Sequence, residues 1–584
     1  MAALIDPLSG AYPAAFRHFN PLPSMRVRTG QLTLLSLLSV IACSHGDQPV
    51  ATGNNGGTMV IAVGGDADNL LPPLTVSDVA TEVGSLIYER LAEPGMDLNT
   101  IGDAGFEPRL ASTWKWAPDS MSLSFALNPA AHWQDGRPVT ARDVRFTFSL
   151  YTDSTVGSAL APLVSNIDSV TVGDSLTAVF WFHRRTPEQF YDAACQMRIL
   201  PEHVLARIPR ADLKTSPVTR EPVGSGPYRL VRWTPGTSLD LAVDTTWYRG
   251  RGHLDRIIFS IVPEPQTMIL RLWSGEADLM EYLRPADLAD LPKHPTLRTL
   301  RLPRMEYSQV LFNERDPKNL SQPNPIFGDR EVRRALAMAV NRRAIIHTVF
   351  NDSLGYVALG PVTHALATFD STIPQLPYAP DSAAKLLDAR GWRMGASGVR
   401  EKNGRPLRFS LIVPTSSTLR GQSAVLIQDM LKQVGVAMDI EQLEFPTHLH
   451  RSQAHQFDAT FVTTGLDPTP SSIRQAWTTA AAQRVDGTNY GLHSSPPLDA
   501  LIDSAVTERD RTRALSLYRR AYAMLVADAP GIFIYEPITV MALHRRLRPE
   551  RVRVDAWYAN LAEWWIPPDE RISRDRTLLA EQQR

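Results

Sequence analysis

Ser382 and Lys385 lie three residues apart in "SAAK", a spacing at which a lysine can take the proton from a serine nucleophile. Enzymes built on that pair also carry Ser-Asp-Asn and Lys-Thr-Gly elements, and neither occurs here. Ser382 is therefore read as a first-turn residue of an amphipathic helix. In "VGSGP" Val223 stands where a Gly-x-Ser-x-Gly nucleophile elbow needs its first glycine. His448, His450 and His455 in "HLHRSQAH" could bring two imidazoles near a metal, but no carboxylate or cysteine follows at the usual spacing. A surface loop or helix start is expected there. No His-Glu-x-x-His or Gly-x-Gly-x-x-Gly occurs. Carboxylates are scattered, and no pair can be placed face to face for proton transfer. A binding protein rather than an enzyme is expected, with no cofactor and no resident metal.

The frame that carries these residues is large. A chain of 584 residues outgrows one simple core, so two or three lobes are expected. Hydrophobic residues at 43% and charged residues at 21% are ordinary for a folded soluble protein. A formal net charge of -1 gives no electrostatic footprint for nucleic acid. There are two cysteines, and Cys195, set among apolar residues, reads as a buried free thiol. Cys43 ends "MRVRTGQLTLLSLLSVIACS", in which Arg26 and Arg28 precede an apolar run and a small residue. That is the layout of a secretory signal, too short for an ordinary membrane span. Val40-Ile41-Ala42-Cys43 resembles the bacterial lipobox, whose cysteine receives lipid. Residues 1–24 are read as a mis-called upstream start, 25–42 as the signal, and the polar, Gly-rich 43–57 as a flexible tether. Lipid on Cys43 would hold the mature chain to a membrane, in the periplasm or at the cell surface.

From Thr58 strand and helix signals alternate. "TMVIAV" reads as a buried strand and "DVATEVGSLIYERLAE" as a helix with Val79, Val83, Ile87 and Leu91 on one face. "HWQDGRPVTARDVRFTFSL" combines an Asp135-Gly136 turn with a helix start in which Thr140 and Asp143 form a capping-box-like pair. "DREVRRALAMAVNRRAIIHTVF" predicts one long amphipathic helix. "RFSLIVPTS", "QSAVLIQDMLKQVG" and "VAMDIEQLEF" predict a strand–helix–strand unit of the parallel kind. The tail from Arg571 to Arg584 is charged and expected to be solvated. The class is mixed α/β.

Taken together, these segments resemble the extracellular solute-binding proteins, family 5, of ABC importers, which include oligopeptide-, dipeptide- and nickel-binding members. The resemblance rests on Trp133, Asp135, Gly136, Pro138, Thr140, Ala141, Asp143 and Val144, on "EPRLASTWKWAPD" and "LIYERL" before them, and on Gly224-Ser225-Gly226-Pro227-Tyr228 after them. "SGEADL", "VRRALAMAVNRRAI", "YAPDSAAKLLDARGW" and "LYRRAYAMLVADAPGIFIY" follow in the family's order. It implies a large, two-lobed, class II periplasmic-binding-protein-like fold with an extra inserted lobe. Lobe I would comprise 58–78, 221–306 and 536–570, the inserted lobe 79–220, and the second binding lobe 307–535. The hinge would lie near Tyr307 and Tyr535.

The resemblance also implies a monomer that captures a peptide or other small solute and delivers it to a membrane permease and its ATPase. In peptide-binding members an aspartate in the segment after "Phe-Asp" pairs with the ligand's α-amino group. Counting from Phe457-Asp458 puts Asp467 there; aligning on the Asp-Pro pair puts Thr464 there instead. The tryptophan of that segment is missing in either register. Thr463, Gly465, Tyr307, Asn313, Gly226, Pro227 and Trp477 complete the expected pocket. A metal complex, with histidine help, is the alternative ligand. A signalling or chaperone-like protein on the same fold is the alternative role.

Overall fold

The computed structural model describes residues 53–484 and 487–576. The expected start, signal and Cys43 lie outside the described residues. Five of the six residues of Thr58–Val63 are apolar and all six are buried, so the strand sits inside a sheet with both faces covered. It runs parallel to Arg256–Ile261 and to Leu279–Met280. Arg256–Ile261 pairs antiparallel with Ser238–Val243, which pairs with Tyr228–Thr234 at the sheet's edge. A second sheet contains Arg408–Pro414 flanked in parallel by Ala437–Leu443 and Ala459–Gly465, the latter pairing antiparallel with Glu306–Phe312. Helix Thr418–Gln433 makes the crossover between the parallel strands Arg408–Pro414 and Ala437–Leu443.

One strand belongs to both sheets. Gly531–His544 pairs through its first half with Glu306–Phe312 and through its second half with Leu297–Pro303. The chain therefore passes between the lobes at Arg304–Met305 and again at Pro537–Ile538. Burial, complete up to Glu536, relaxes over Pro537, Ile538 and Thr539 and returns at Val540. Across that step the Arg304 N–H donates to the Pro537 carbonyl at 3.1 Å, the Ile538 N–H to the Leu354 carbonyl at 3.0 Å and the Leu466 N–H to the Met305 carbonyl at 2.7 Å.

A separate four-stranded antiparallel sheet, in the order Ala111–Trp116, Ser122–Leu127, Thr177–Phe182, Ile167–Asp174, forms the third lobe around its own aromatic core. The Trp133–Val144 segment is its corner. The Trp133 N–H donates to the Arg137 carbonyl at 2.7 Å, closing the turn. The Asp143 carboxylate accepts from Thr140 N at 2.8 Å, Thr140 Oγ1 at 2.9 Å and Glu202 N at 2.8 Å. Gln134 reaches the Gly-Ser-Gly-Pro turn, donating to the Tyr228 carbonyl at 2.8 Å and accepting from Gly224 N at 3.1 Å. A Cβ on Gly224 would stand 2.0 Å from the Ile87 carbonyl oxygen, so only glycine lets these two segments meet. Two stretches separated in sequence thus form one joint between lobes.

Three expectations change. The long helix is two, Arg330–Ala339 and Arg342–Phe350, because Val340 is extended and Asn341 caps the second helix by accepting from Ala344 N at 3.1 Å. The helix from Asp78 ends at Ile87, with Tyr88 extended. The tail is not solvated from its start: buried Asp575 accepts from Thr58 N at 2.8 Å and pairs with Arg546 at 2.5 Å. Cys195 is buried and free, its thiol 3.3 Å from the Ala92 carbonyl oxygen.

Thr140→Ala should lower unfolding free energy by about 1 kcal/mol, the usual worth of a helix cap, without moving ligand affinity. Chemical denaturation beside a binding titration checks it, and an affinity loss at unchanged stability contradicts the scaffold role.

Candidate ligand-binding cleft

A cavity of about 320 Å³ opens where the lobes meet, with Leu302–Glu306 of the crossing strand, Thr539 and Met541 of the shared strand, and Leu466 of the second lobe in its wall. The remaining wall comes from the first turn of helix Asp78–Ile87, from Glu281 and Tyr282, and from Val554, Asp555, Trp557 and Tyr558. Loop residues of the third lobe close against the second: Thr100 Oγ1 donates to the Pro468 carbonyl at 3.3 Å, and Asp97 pairs with Arg511 at 2.5 Å. Ile101 packs in the same apolar cluster as Tyr307 and Trp477.

The strands Glu306–Phe312 and Ala459–Gly465 bring several sequence candidates together. Glu306 pairs with Gly465, Tyr307 with Thr464 and Ser308 with Thr463. The Ser308 and Thr463 hydroxyls meet at 2.7 Å. Tyr307 is buried, and burial pushes its phenol well up. Trp477 lies behind the strands, its ring centre 5.9 Å from that of Phe533 and its indole beside the Tyr307 phenol. Asp467 follows Leu466 on the loop leaving the strand; its side chain is exposed and makes no hydrogen bond or ion pair with a described residue. Partial desolvation by the facing walls raises its pKa.

Other candidates fall elsewhere. Asn313 sits past the far end of its strand, donating to the His455 carbonyl at 3.0 Å and the Phe457 carbonyl at 3.1 Å, a loop-fixing role. Gly226 N–H donates to the Ile87 carbonyl at 2.8 Å in the inter-lobe joint. Pro227 borders a different cavity, of about 260 Å³, rich in arginine. The histidine cluster is a helix, Phe445–Gln453, rather than a loop. His448 turns inward, 3.1 Å from Thr460 Oγ1, and burial drops its pKa to about 4, so the imidazole is neutral. The described residues hold no group of three or more His, Cys, Asp or Glu placed to bind a metal ion.

Sequence reasoning found no facing carboxylates, yet Glu82 and Glu281 face each other across the cavity wall, far apart in the chain. Glu82 is only 4% exposed, and no donor among the described residues reaches its Oε2. Burial first, and then repulsion from Glu281, raise its pKa well above the carboxylate range; burial raises Glu281 as well. One trace was visible in the sequence. Glu82 stands on the apolar face of Val79, Val83 and Leu86, where a charge is out of place.

Such a frame, two α/β lobes joined by paired strand crossings over a cavity, is that of a hinged solute-binding protein. Residues 105–484, more than half of the chain, match the bacterial extracellular solute-binding proteins, family 5, and the protein belongs to that family. It is 23% identical over 560 residues to the oligopeptide-binding protein AppA of Bacillus subtilis, spanning 93% of this chain and 100% of AppA. The structure of AppA in complex with a nonapeptide superposes with a TM-score of 0.65 at 23% identity, covering 88% of this chain and 99% of that one. NikZ of Campylobacter jejuni in complex with Ni(L-His) gives 0.66 at 21% identity, with 87% and 99% covered. No helix of the described residues is long and apolar enough to cross a membrane.

Glu82 carries a sign for pH dependence. Its folded pKa lies above the unfolded value, so its contribution is whole in acid and is lost as pH rises through the folded value. Glu82→Gln should therefore melt with the wild type near about pH 4 and above it near about pH 8. Thermal melts across that range check it, and a gap that widens towards acid contradicts the assignment.

Proposed function

We propose that this protein is the ligand-capturing component of an ABC importer, closing its lobes over a peptide-like solute and presenting it to a membrane permease and ATPase. The observation that carries this reading is the cavity at the hinge, walled by both lobes, so that a ligand there contacts the two together only when they close. The peptide class is supported by AppA, an oligopeptide-binding relative matched along its whole length. Glu306, at the start of its strand, and Leu466, just past the end of Ala459–Gly465, line the cavity, so an extended ligand there would lie against main chain able to hydrogen-bond it. The protein does no chemistry on its cargo. It works as a monomer in the periplasm or at the cell surface, tethered by lipid on Cys43, whose sequence context fits a lipobox.

Asp467 is the residue for the ligand's α-amino group, since its carboxylate beside the cleft has no described partner to give up. Thr464, the place given by aligning on the Asp-Pro pair, has its hydroxyl engaged with the Tyr307 phenol. A metal complex is the second reading, favoured by the likeness to NikZ. The inward turn of His448 weighs against the histidine cluster as its ligand. A signalling or chaperone-like role on the same fold has no comparable support.

Asp467→Asn should weaken binding of free-amine pentapeptides about tenfold, the worth of one charge-assisted contact, and leave N-acetylated ones unchanged. Isothermal titration of both peptide forms reads the difference, and equal loss for both contradicts the amine assignment.

A further inference from the structure

We propose that the Glu82–Glu281 pair is a binding site for an organic cation, so that the protein selects ligands with a lysyl or arginyl side chain and releases a proton as it takes them. This deepens, and rests on, the solute-capture reading above. Two facing carboxyls 199 positions apart in sequence are stable only with a proton or another cation between them. At the Glu82 Oε2 atom, in a residue 4% exposed, the protein supplies no donor among its described residues. Both residues border the hinge cavity, so what completes the pair arrives from the cleft.

No full positive charge among the described residues compensates the pair, although the Tyr282 hydroxyl and Trp557 indole turn towards Glu281. Asp78 lies one helical turn before Glu82 and adds to the negative field. Arg304 is the cation nearest in the wall, and it is committed to Glu306 at 3.3 Å, its guanidinium 5.9 Å from the Tyr282 ring centre. Asp555 is already neutralised by Arg553 at 2.9 Å. Tyr282 and Tyr558 are the remaining titratable neighbours, and both phenols are pushed up, hence neutral. A buried acid facing a half-buried one, with one oxygen that no described donor reaches, therefore holds a proton when the cleft is empty. The raised pKa values of both carboxyls agree.

Wall chemistry selects the kind of cation. A metal ion would want three or more carboxylate or imidazole ligands, and no such group exists among the described residues. Tyr282, Trp557 and Tyr558 line the same wall, and the Tyr282 hydroxyl and Trp557 indole N–H turn towards Glu281, so the oxygen left for an ammonium or guanidinium group is that of Glu82. Atoms balance simply: the ligand's cationic group enters, the shared proton leaves to solvent, and no covalent bond changes.

The test exposes the full mature chain to an equimolar random pentapeptide library near neutral pH and identifies captured peptides by mass spectrometry. The expected result is enrichment of lysine- or arginine-containing peptides by about tenfold, lost in Glu82→Gln/Glu281→Gln while other peptides are still captured. As a check independent of the variant, titrating wild type with a captured lysine peptide in phosphate and in Tris should show release of about one proton. Capture without cationic enrichment, enrichment that survives the double substitution, or no proton release would overturn the cation site alone. Capture of no peptide at all would overturn the peptide reading and the site with it.

Discussion

The strand Gly531–His544 is the constraint on which the molecule turns, because it is hydrogen-bonded into both large sheets. Each half is locked by antiparallel pairing and by burial, so each lobe moves as a body. Burial lapses at Pro537–Thr539, opposite Arg304–Met305, where the strand's pairing passes from one sheet to the other. The candidate cleft lies at this crossing, where a hinge bend would open or shut it. The third lobe extends the grip. It hangs from the first through the Gln134–Gly224 joint and touches the second through Thr100 and Asp97.

Two buried charge clusters show how stability and function divide. In the first lobe Arg546 contacts Asp278 at 2.9 Å and Asp575 at 2.5 Å, and donates to the Thr58 carbonyl at 2.9 Å. Every charge there has a partner, and the cluster ties the first strand, the middle of the chain and its end together. Breaking such a network strands a buried charge, at a cost of about 3–5 kcal/mol. At the hinge the reverse holds. Glu82 and Glu281 sit together with no cation among the described residues to pair them. A protein that spent such a position on scaffold alone would do better with apolar residues.

Much of the fold was legible because its signals are local. The strand–helix–strand unit from Arg408 to Leu443 has apolar periods that match its elements, and the Asp143 cap and the Asp135-Gly136 turn depend on residues a few positions apart. The break at Asn341 was also local, but helical periodicity continues through it and masked the cap. Of the candidate cleft, the strand register that brings Tyr307 to Thr464 follows from neither segment alone, although both were singled out. The Glu82–Glu281 pair lay beyond reach for a plain reason. Its members come from a helix and a strand end far apart in the chain, which only folding brings together, and the lone sequence trace was one acid on an apolar face.

The account's central claim is that a ligand at the hinge converts an open population into the closed form. Spin labels on Val76 in the first lobe and Val425 on the outer helix of the second, both exposed, report the distance across it. The account predicts a broad, longer distance in ligand-free protein that collapses to one short distance when a captured peptide is added. A single distance, identical with and without bound peptide, would contradict it.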